Sequence, residues 1–353
     1  MITRVVRARL HRSGPVMATF AALIAIAMIP AAVVLRAQVT APALDVLQVR
    51  PNFYMIAGAG ANIGAQIGPN GVVLVNAGSA DAADAVVAAI AKVTTQPVRY
   101  IINTSADLDV VGGNATIARA GRNISSVAGR GRNRTTIVGS DLDIARVLSH
   151  ENVLARMAAS SGAGQSVSFA AAALPSESFS ERRRAMYFND EGIEILHQPA
   201  AHTDGDTVVF FRKSDVVVAG NIIDTDRFPV IDLARGGSLK GEIDALNRII
   251  ELAIPPGPFV GLPNGLMASA TQQGGTDVLP GHGRIYRQID VVNYRDMVVI
   301  IRDIVQDLID KKMTLDQVKA ADPAKPYKAR YGATSGSWTT NDFVEAVYRS
   351  LAR

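Results

Sequence analysis

The 353-residue chain contains no cysteine. Disulfides, thiolate metal ligands and a lipid-modified cysteine are thereby excluded, and any metal must be held by His, Asp, Asn, Ser, backbone or water. Acidic residues are missing from one region: none precedes residue 38, whereas Arg4, Arg7, Arg9, Arg12 and Arg36 do. Beyond residue 37 stand 31 basic against 32 acidic residues, a net charge of −1. The basicity belongs to the leader, and a nucleic-acid-binding function loses its main support. Histidine is also scarce, with His11, His150, His197, His202 and His282 the full set.

Residues 1–37 read as an export signal: arginines, then the uncharged run Pro15 to Leu35, then small residues around Ala37. The run at 15–35 is long enough to serve instead as an uncleaved anchor in the inner membrane, and no other contact with a membrane is expected. The protein is therefore expected to be periplasmic or extracellular. With 48% hydrophobic residues the remainder can bury a sizeable core. Residues 38–51 read as a linker containing Pro42, residues 52–290 as the main domain, and residues 291–353 as a helical segment packed on it.

Phe53 to Ala57, Ile63 to Ile67 and Val72 to Val75 read as strands, the last two joined by the hairpin chemistry of Pro69-Asn70-Gly71. Ala82, Val86, Ala89, Ile90 and Val93 recur at helical spacing, with Ser79 or Asp81 placed to cap the start. A strand at 98–102 and a helix at 112–120 follow. The Ala/Ser/Gly-rich stretch 158–180 reads as a long surface loop forming part of a pocket wall. Further strands are expected at 193–197, 207–211 and 216–219, and the apolar stripe from Tyr294 to Leu308 marks a long helix. Strand-rich halves separated by helices suit two packed sheets covered by helices.

Candidate chemistry gathers where strands give way to loops. His202 lies in "PAAHTDGD", among small and acidic residues that an apolar core would not select, and His282 in "LPGHGR", between glycines that permit a sharp turn. Asp107 and Asp109 lie in "NTSADLDVVGGN", just after a strand. Singly, a loop histidine is more often a solvated or hydrogen-bonded side chain, which is the reading kept for His150 and His197, and a loop aspartate is more often a cap. Together, the four fall where one rim of loops brings them within reach of each other.

These stretches resemble the metallo-β-lactamase-fold hydrolases from about Asn52 to the C-terminus, through "GANIGAQIGPNGVVLVNAG", "YIINTSADLDVVGGN", "AAHTDGDTVVFF", "VVVAGNIID" and "VLPGHG". The resemblance implies an α/β fold, an αββα two-sheet sandwich, with a metal site along one edge. The family's His-x-His-x-Asp-His signature falls on Ser105, Asp107, Asp109 and Val110, so three of its four ligand positions are altered. His202 and His282 match ligand histidines, the bridging aspartate is replaced by Asn221, and an aspartate that supports the site by Asn76.

By that resemblance the usual two-zinc site is not expected. One alternative is a single divalent metal (zinc, manganese or iron) held by Asp107, Asp109, His202 and His282, with Asp107 or Asp109 in the catalytic role and an ester, thioester, lactone or amide as substrate. Another is a metal-free pseudoenzyme that binds a small molecule. A third is metal-free acid–base chemistry by Asp107 or Asp109 with His202. Two unneutralised carboxylates in one pocket repel each other unless one is protonated or a cation stands nearby. Nothing in the sequence specifies the oligomeric state or the substrate.

Overall fold

The computed structural model describes residues 43–123, 143–160, 169–256 and 274–352, all within Ala41–Arg353, the larger of two units into which the chain divides. The leader and residues 161–168 of the expected loop lie outside the described residues.

Twelve strands form two sheets. The first runs in the order β1 (Asp45–Arg50), β2 (Phe53–Ala57), β3 (Ile63–Gly68), β4 (Gly71–Val75), β5 (Val98–Ile102), β6 (Arg146–His150) and β7 (Glu177–Phe179). Its first four strands pair antiparallel and the rest parallel. The second runs from β12 (Asp277–His282) through β11 (Val216–Asp224), β10 (Thr207–Phe211) and β9 (Glu191–His197) to β8 (Arg183–Phe188), with only β11 and β12 parallel.

The period-2 alternation of a strand decides which core each residue enters. In β4, Val72 and Leu74 join an outer cluster with Val86 and Ile90 of helix α1 (Ala83–Val93), while Val73 and Val75 face the other sheet. In β11, Val216 and Val218 meet that same inter-sheet core, whereas Val217 and Ala219 pack among helices α5 (Leu239–Leu252), α6 (Gln288–Asp310) and α9 (Thr340–Leu351). Each sheet is buried on both faces, which gives the αββα order of layers. Phe53 and Phe211 meet edge to face at 4.8 Å between the sheets.

Several local expectations need correction. Residues 45–50, read as linker, form β1 at the sheet edge, because their backbone pairs with β2. Helix α1 starts after Ala82 with no side-chain cap, and Ser79 instead hydrogen-bonds Asp81. The helix expected at 112–120 forms as α3 (Asn114–Ala120), and a further one-turn helix, α2 (Leu108–Val111), precedes it; at Gly113 a Cβ would stand 2.2 Å from the Ala77 carbonyl. Within 158–180, α4 (Glu151–Ser160) extends to the start, a single 3-10 turn spans Ala171–Ala173 and β7 follows.

Phe211 is fully buried. Phe211→Ala is expected to destabilise the fold by about 3–5 kcal/mol, readable as a lowered urea midpoint with unchanged slope. A loss below about 1 kcal/mol would contradict a tightly packed inter-sheet core.

Candidate functional site

The loop after β5 is fastened from beneath before it reaches its carboxylates. Asn76, in the left-handed region at φ 71°, accepts hydrogen bonds from the Thr104 hydroxyl at 2.8 Å and backbone N–H at 3.2 Å. Its own amide donates to the Asn62 carbonyl at 3.2 Å. Asn103 and Asn114 pair reciprocally through their side-chain amides at 2.8 and 3.0 Å. Asp107 then takes the N-cap position of α2, whose single turn sends Val110 into an apolar cluster with Ala61, Val111, Val153 and Met157.

Asp107 is the hub. Its Oδ2 accepts from Ser105 Oγ at 2.6 Å and Asn221 Nδ2 at 3.0 Å and lies 2.9 Å from His202 Nε2. Its Oδ1 lies 2.7 Å from Arg235 Nη1. Both nitrogens of His202 face acceptors, because Nδ1 lies 2.7 Å from the Val230 carbonyl, so the ring is satisfied only as an imidazolium. Burial disfavours that charge, but the hydrogen bond and charge of Asp107 outweigh it and push the pKa up to about 10. Burial likewise opposes ionisation of Asp107, and His202, Arg235 and Ser105 together outweigh it, holding its carboxyl far below the usual carboxylate range.

Arg235 is the site residue that sequence reasoning missed. It ends the 3-10 turn Leu233–Arg235, which Asp232 caps by accepting from the backbone N–H groups of Ala234 and Arg235 at 3.0 Å. Asp232 also holds Arg235 Nε at 2.6 Å and donates its own N–H to the His202 carbonyl at 2.9 Å. A Cβ on Gly237 would stand 2.3 Å from that carbonyl, so the turn and the His202 loop are locked together. The spacing of Asp and Arg in "DLARGG" predicts a capped turn, but nothing local shows where the guanidinium lands.

A second pair stands apart from the first. His282, ending β12, lies 2.9 Å through Nε2 from Asp109 Oδ2, and both are part-exposed. Burial lowers the His282 pKa, but its bond to Asp109 overrides this and raises it. Asn221 turns its Oδ1 toward Gly281, where a Cβ would stand 2.3 Å away, and this atom has no partner among the described residues. His150 and His197 stack at 3.6 Å, His197 Nε2 contacts the Asp204 carbonyl at 2.8 Å, and the buried His150 Nε2 has no partner among the described residues. Two buried acids behind His202 also escaped notice in the sequence. Asp206 is held by the Thr203 backbone and hydroxyl, and burial raises its pKa to about 6. Glu242 has both oxygens without a partner among the described residues, and burial pushes it well above the usual range.

The four expected ligands thus lie in two His–Asp pairs. A metal ligand needs a lone pair aimed at the ion, yet four donors surround the oxygens of Asp107, and His202 Nε2 is turned to a carboxylate. Arg235 and protonated His202 supply two positive charges to the carboxylate that a cation would use. Among the described residues no group of three or more His, Asp or Glu is disposed to hold an ion. As placed, Asp107 and His202 do not fit as ligands of an ion.

The pairs open onto a cavity of about 940 Å³. Among the described residues its walls come from the 224–235 segment and α9, and the stretch 158–180 expected there contributes none of its lining. A smaller neighbouring cavity does include Phe169 of that stretch.

The His202–Asp107 pair makes stability depend on pH. The folded His202 pKa near 10 lies above its ordinary 6.5, so its contribution is full below about pH 6.5 and is lost as pH rises toward 10. Asp107, depressed below its ordinary 3.8, contributes above that value and loses its share as pH falls. Urea unfolding of the native protein is expected to show stability falling from about pH 7 to about pH 10, a decline that His202→Gln abolishes. The same decline in that variant would refute the assignment.

No protein-family model matches the sequence, and no curated protein sequence does. Solved structures do match its fold. A metallo-beta-lactamase from Pontibacter korlensis aligns over 72% of this chain and 99% of its own, at 15% identity and a TM-score of 0.50. The stereoselective inverting sec-alkylsulfatase Pisa1 from Pseudomonas sp. aligns over 87% of this chain at 15% identity and a TM-score of 0.56. A double mutant of the sec-alkylsulfatase PisA1 gives 14% and 0.58 over the same 87%. The chain spans 50% of the length of each alkylsulfatase structure. Two mixed sheets between helical layers, a rim of loops at the ends of β5, β9, β11 and β12, and these likenesses identify the chain as having the metallo-β-lactamase fold, with a helical C-terminal segment.

Proposed function

We propose that the protein is a metal-independent binding protein built on a hydrolase fold, working outside the cytoplasm as its leader sequence suggests. The observation that carries this reading is Arg235 Nη1 at 2.7 Å from Asp107 Oδ1, with His202 on the other oxygen. Buried carboxylates need compensating positive charge, and here the protein supplies it. Asn at positions 76 and 221 fits the same logic, since each removes an anion that only a nearby cation would make tolerable. The cavity is of the size that small organic ligands occupy.

A second reading, carried by the His282–Asp109 pair at the cavity wall, is slow metal-free ester hydrolysis with His282 as general base. It ranks second because the raised His282 pKa favours the protonated ring, which cannot accept a proton. Ester turnover that rises with pH and is lost in His282→Gln would promote it to first place.

Residues 38–353, purified without chelator, are expected to carry no stoichiometric metal and to give no zinc or manganese binding at micromolar concentrations in calorimetry. Stoichiometric zinc that is lost in His202→Ala and His282→Ala would overturn the reading. The combined variant Ser105→His, Asp107→His, Val110→His, Asn221→Asp is expected to take up zinc only when Arg235→Ala is added, because the guanidinium otherwise keeps its charge in the site. Elemental mass spectrometry of the two variants checks this.

A further inference from the structure

The inter-sheet core ends at the rim in two histidines. In β6, Leu148 faces that core and the two-residue period of a strand sends His150 to the same side, and in β9 the series Ile193, Ile195 and His197 does likewise. The rings meet between the sheets, stacked at 3.6 Å with their planes 11° apart, and Phe179 of β7 stands edge-on to His150 at 5.3 Å. Carbocyclic rings would fill such a space equally, but imidazole differs in titrating near neutral pH. His150 Nδ1 accepts the Asn152 backbone N–H at 3.3 Å and so carries no proton. A proton placed there breaks that bond and sets a buried charge against the face of the other ring.

The groups facing the pair do not offset that charge. Burial lowers the pKa of both rings, outweighing the pull of Glu151, Asp204, Glu181 and the Ser180 backbone on His150 and of Asp204 on His197, while Arg182 and His150 itself further disfavour a proton on His197. Asp204 also ties the pair to the site. Its carbonyl accepts from His197 Nε2 at 2.8 Å and Asn152 Nδ2 at 2.9 Å, and its N–H donates to the Arg235 carbonyl at 3.0 Å. Arg156 of α4 binds both the Asp204 carboxylate and the Arg235 carbonyl at 2.7 Å. We propose that the His150–His197 stack is an acid-sensitive latch: protonation of either ring parts the stack and loosens the 203–206 loop with the Arg235 turn, opening the rim of the cavity. On the reading that the cavity binds a small molecule, mild acid then releases it. The stack contributes its full stability above the ordinary histidine value of 6.5 and loses it as pH falls through the lower folded values.

The test follows the histidine ring signals of residues 38–353 by NMR as pH is lowered, with amide hydrogen exchange measured on the same protein. His150 and His197 are both expected to titrate below 6.5. The amides of Asp204 and Asp232, which bond the Arg235 and His202 carbonyls, are expected to exchange at least about tenfold faster at about pH 5 than at about pH 7, once intrinsic exchange rates are divided out. His150→Phe keeps a flat ring over His197 without the proton site, and is expected to shrink that ratio at least about threefold. Either ring titrating at or above 6.5, or equal protection of those amides at both pH values, overturns the inference in the native protein, whether or not the variant folds. A ratio unchanged in His150→Phe also overturns it and assigns the opening to Asp206, which holds Thr203 and has its pKa raised to about 6. These readouts use no ligand, so stoichiometric metal in the purified protein would overturn the binding role and leave the latch standing.

Discussion

The centre of this protein depends on a carboxylate that cannot be buried alone. The Asp107 side chain is mostly buried, 14% exposed at the cavity wall, and a charge so placed is tolerable only when opposite charge and hydrogen bonds surround it. Four side chains do so: Ser105 from its own loop, His202 from the loop after β9, Asn221 from β11 and Arg235 from a capped turn. Because those residues come from separate stretches of the chain, the ion pair fixes how the loops of the rim sit relative to each other. His202 in turn is charged because Asp107 is, so the pair stands or falls together.

The acids behind the pair obey the same rule with the opposite outcome. Asp206 and Glu242 are buried near the charged His202 but without a salt bridge among the described residues, and burial shifts both toward the neutral acid. Around His202 the outcome follows the neighbours: Asp107, with two cations within reach, stays ionised, and the more deeply buried Asp206 and Glu242 move toward protonation. The same rule makes Asn at 76 and 221 intelligible. Each amide keeps the hydrogen-bonding shape of an aspartate, holding Thr104 or Asp107, without adding another anion.

The fold supplies the rim but leaves its chemistry open. Parallel and antiparallel strands bring the ends of β5, β9, β11 and β12 to one edge, where the loops converge whatever residues they carry. The fold is shared with hydrolases, and activity must be argued from the site. Here the C-terminal segment adds a feature of its own, because Trp338 and the α9 residues Asp342, Glu345 and Arg349 close one side of the cavity.

Much of this was written locally. Alternating apolar residues in "GVVLV" and "VVVAG", the Pro-Asn-Gly turn and the stripe from Tyr294 to Leu308 specify strands, hairpin and helix, because those patterns repeat with the period of the backbone. The motif order placed Asp107, Asp109, His202 and His282 at strand ends, and Ser105, Val110 and Asn221 at altered positions. Strand β1 was hidden, since an exposed edge strand has no buried face to mark it. The pairing was hidden as well. A sequence records that two aspartates and two histidines exist; which hydrogen-bonds which, and that Arg235 reaches Asp107 across more than a hundred residues, depends on the packing of one loop against another. Composition and periodicity act over a few residues and determined the layers, whereas the neutralisation of a buried charge is a contact between distant segments, and only the tertiary structure decided it.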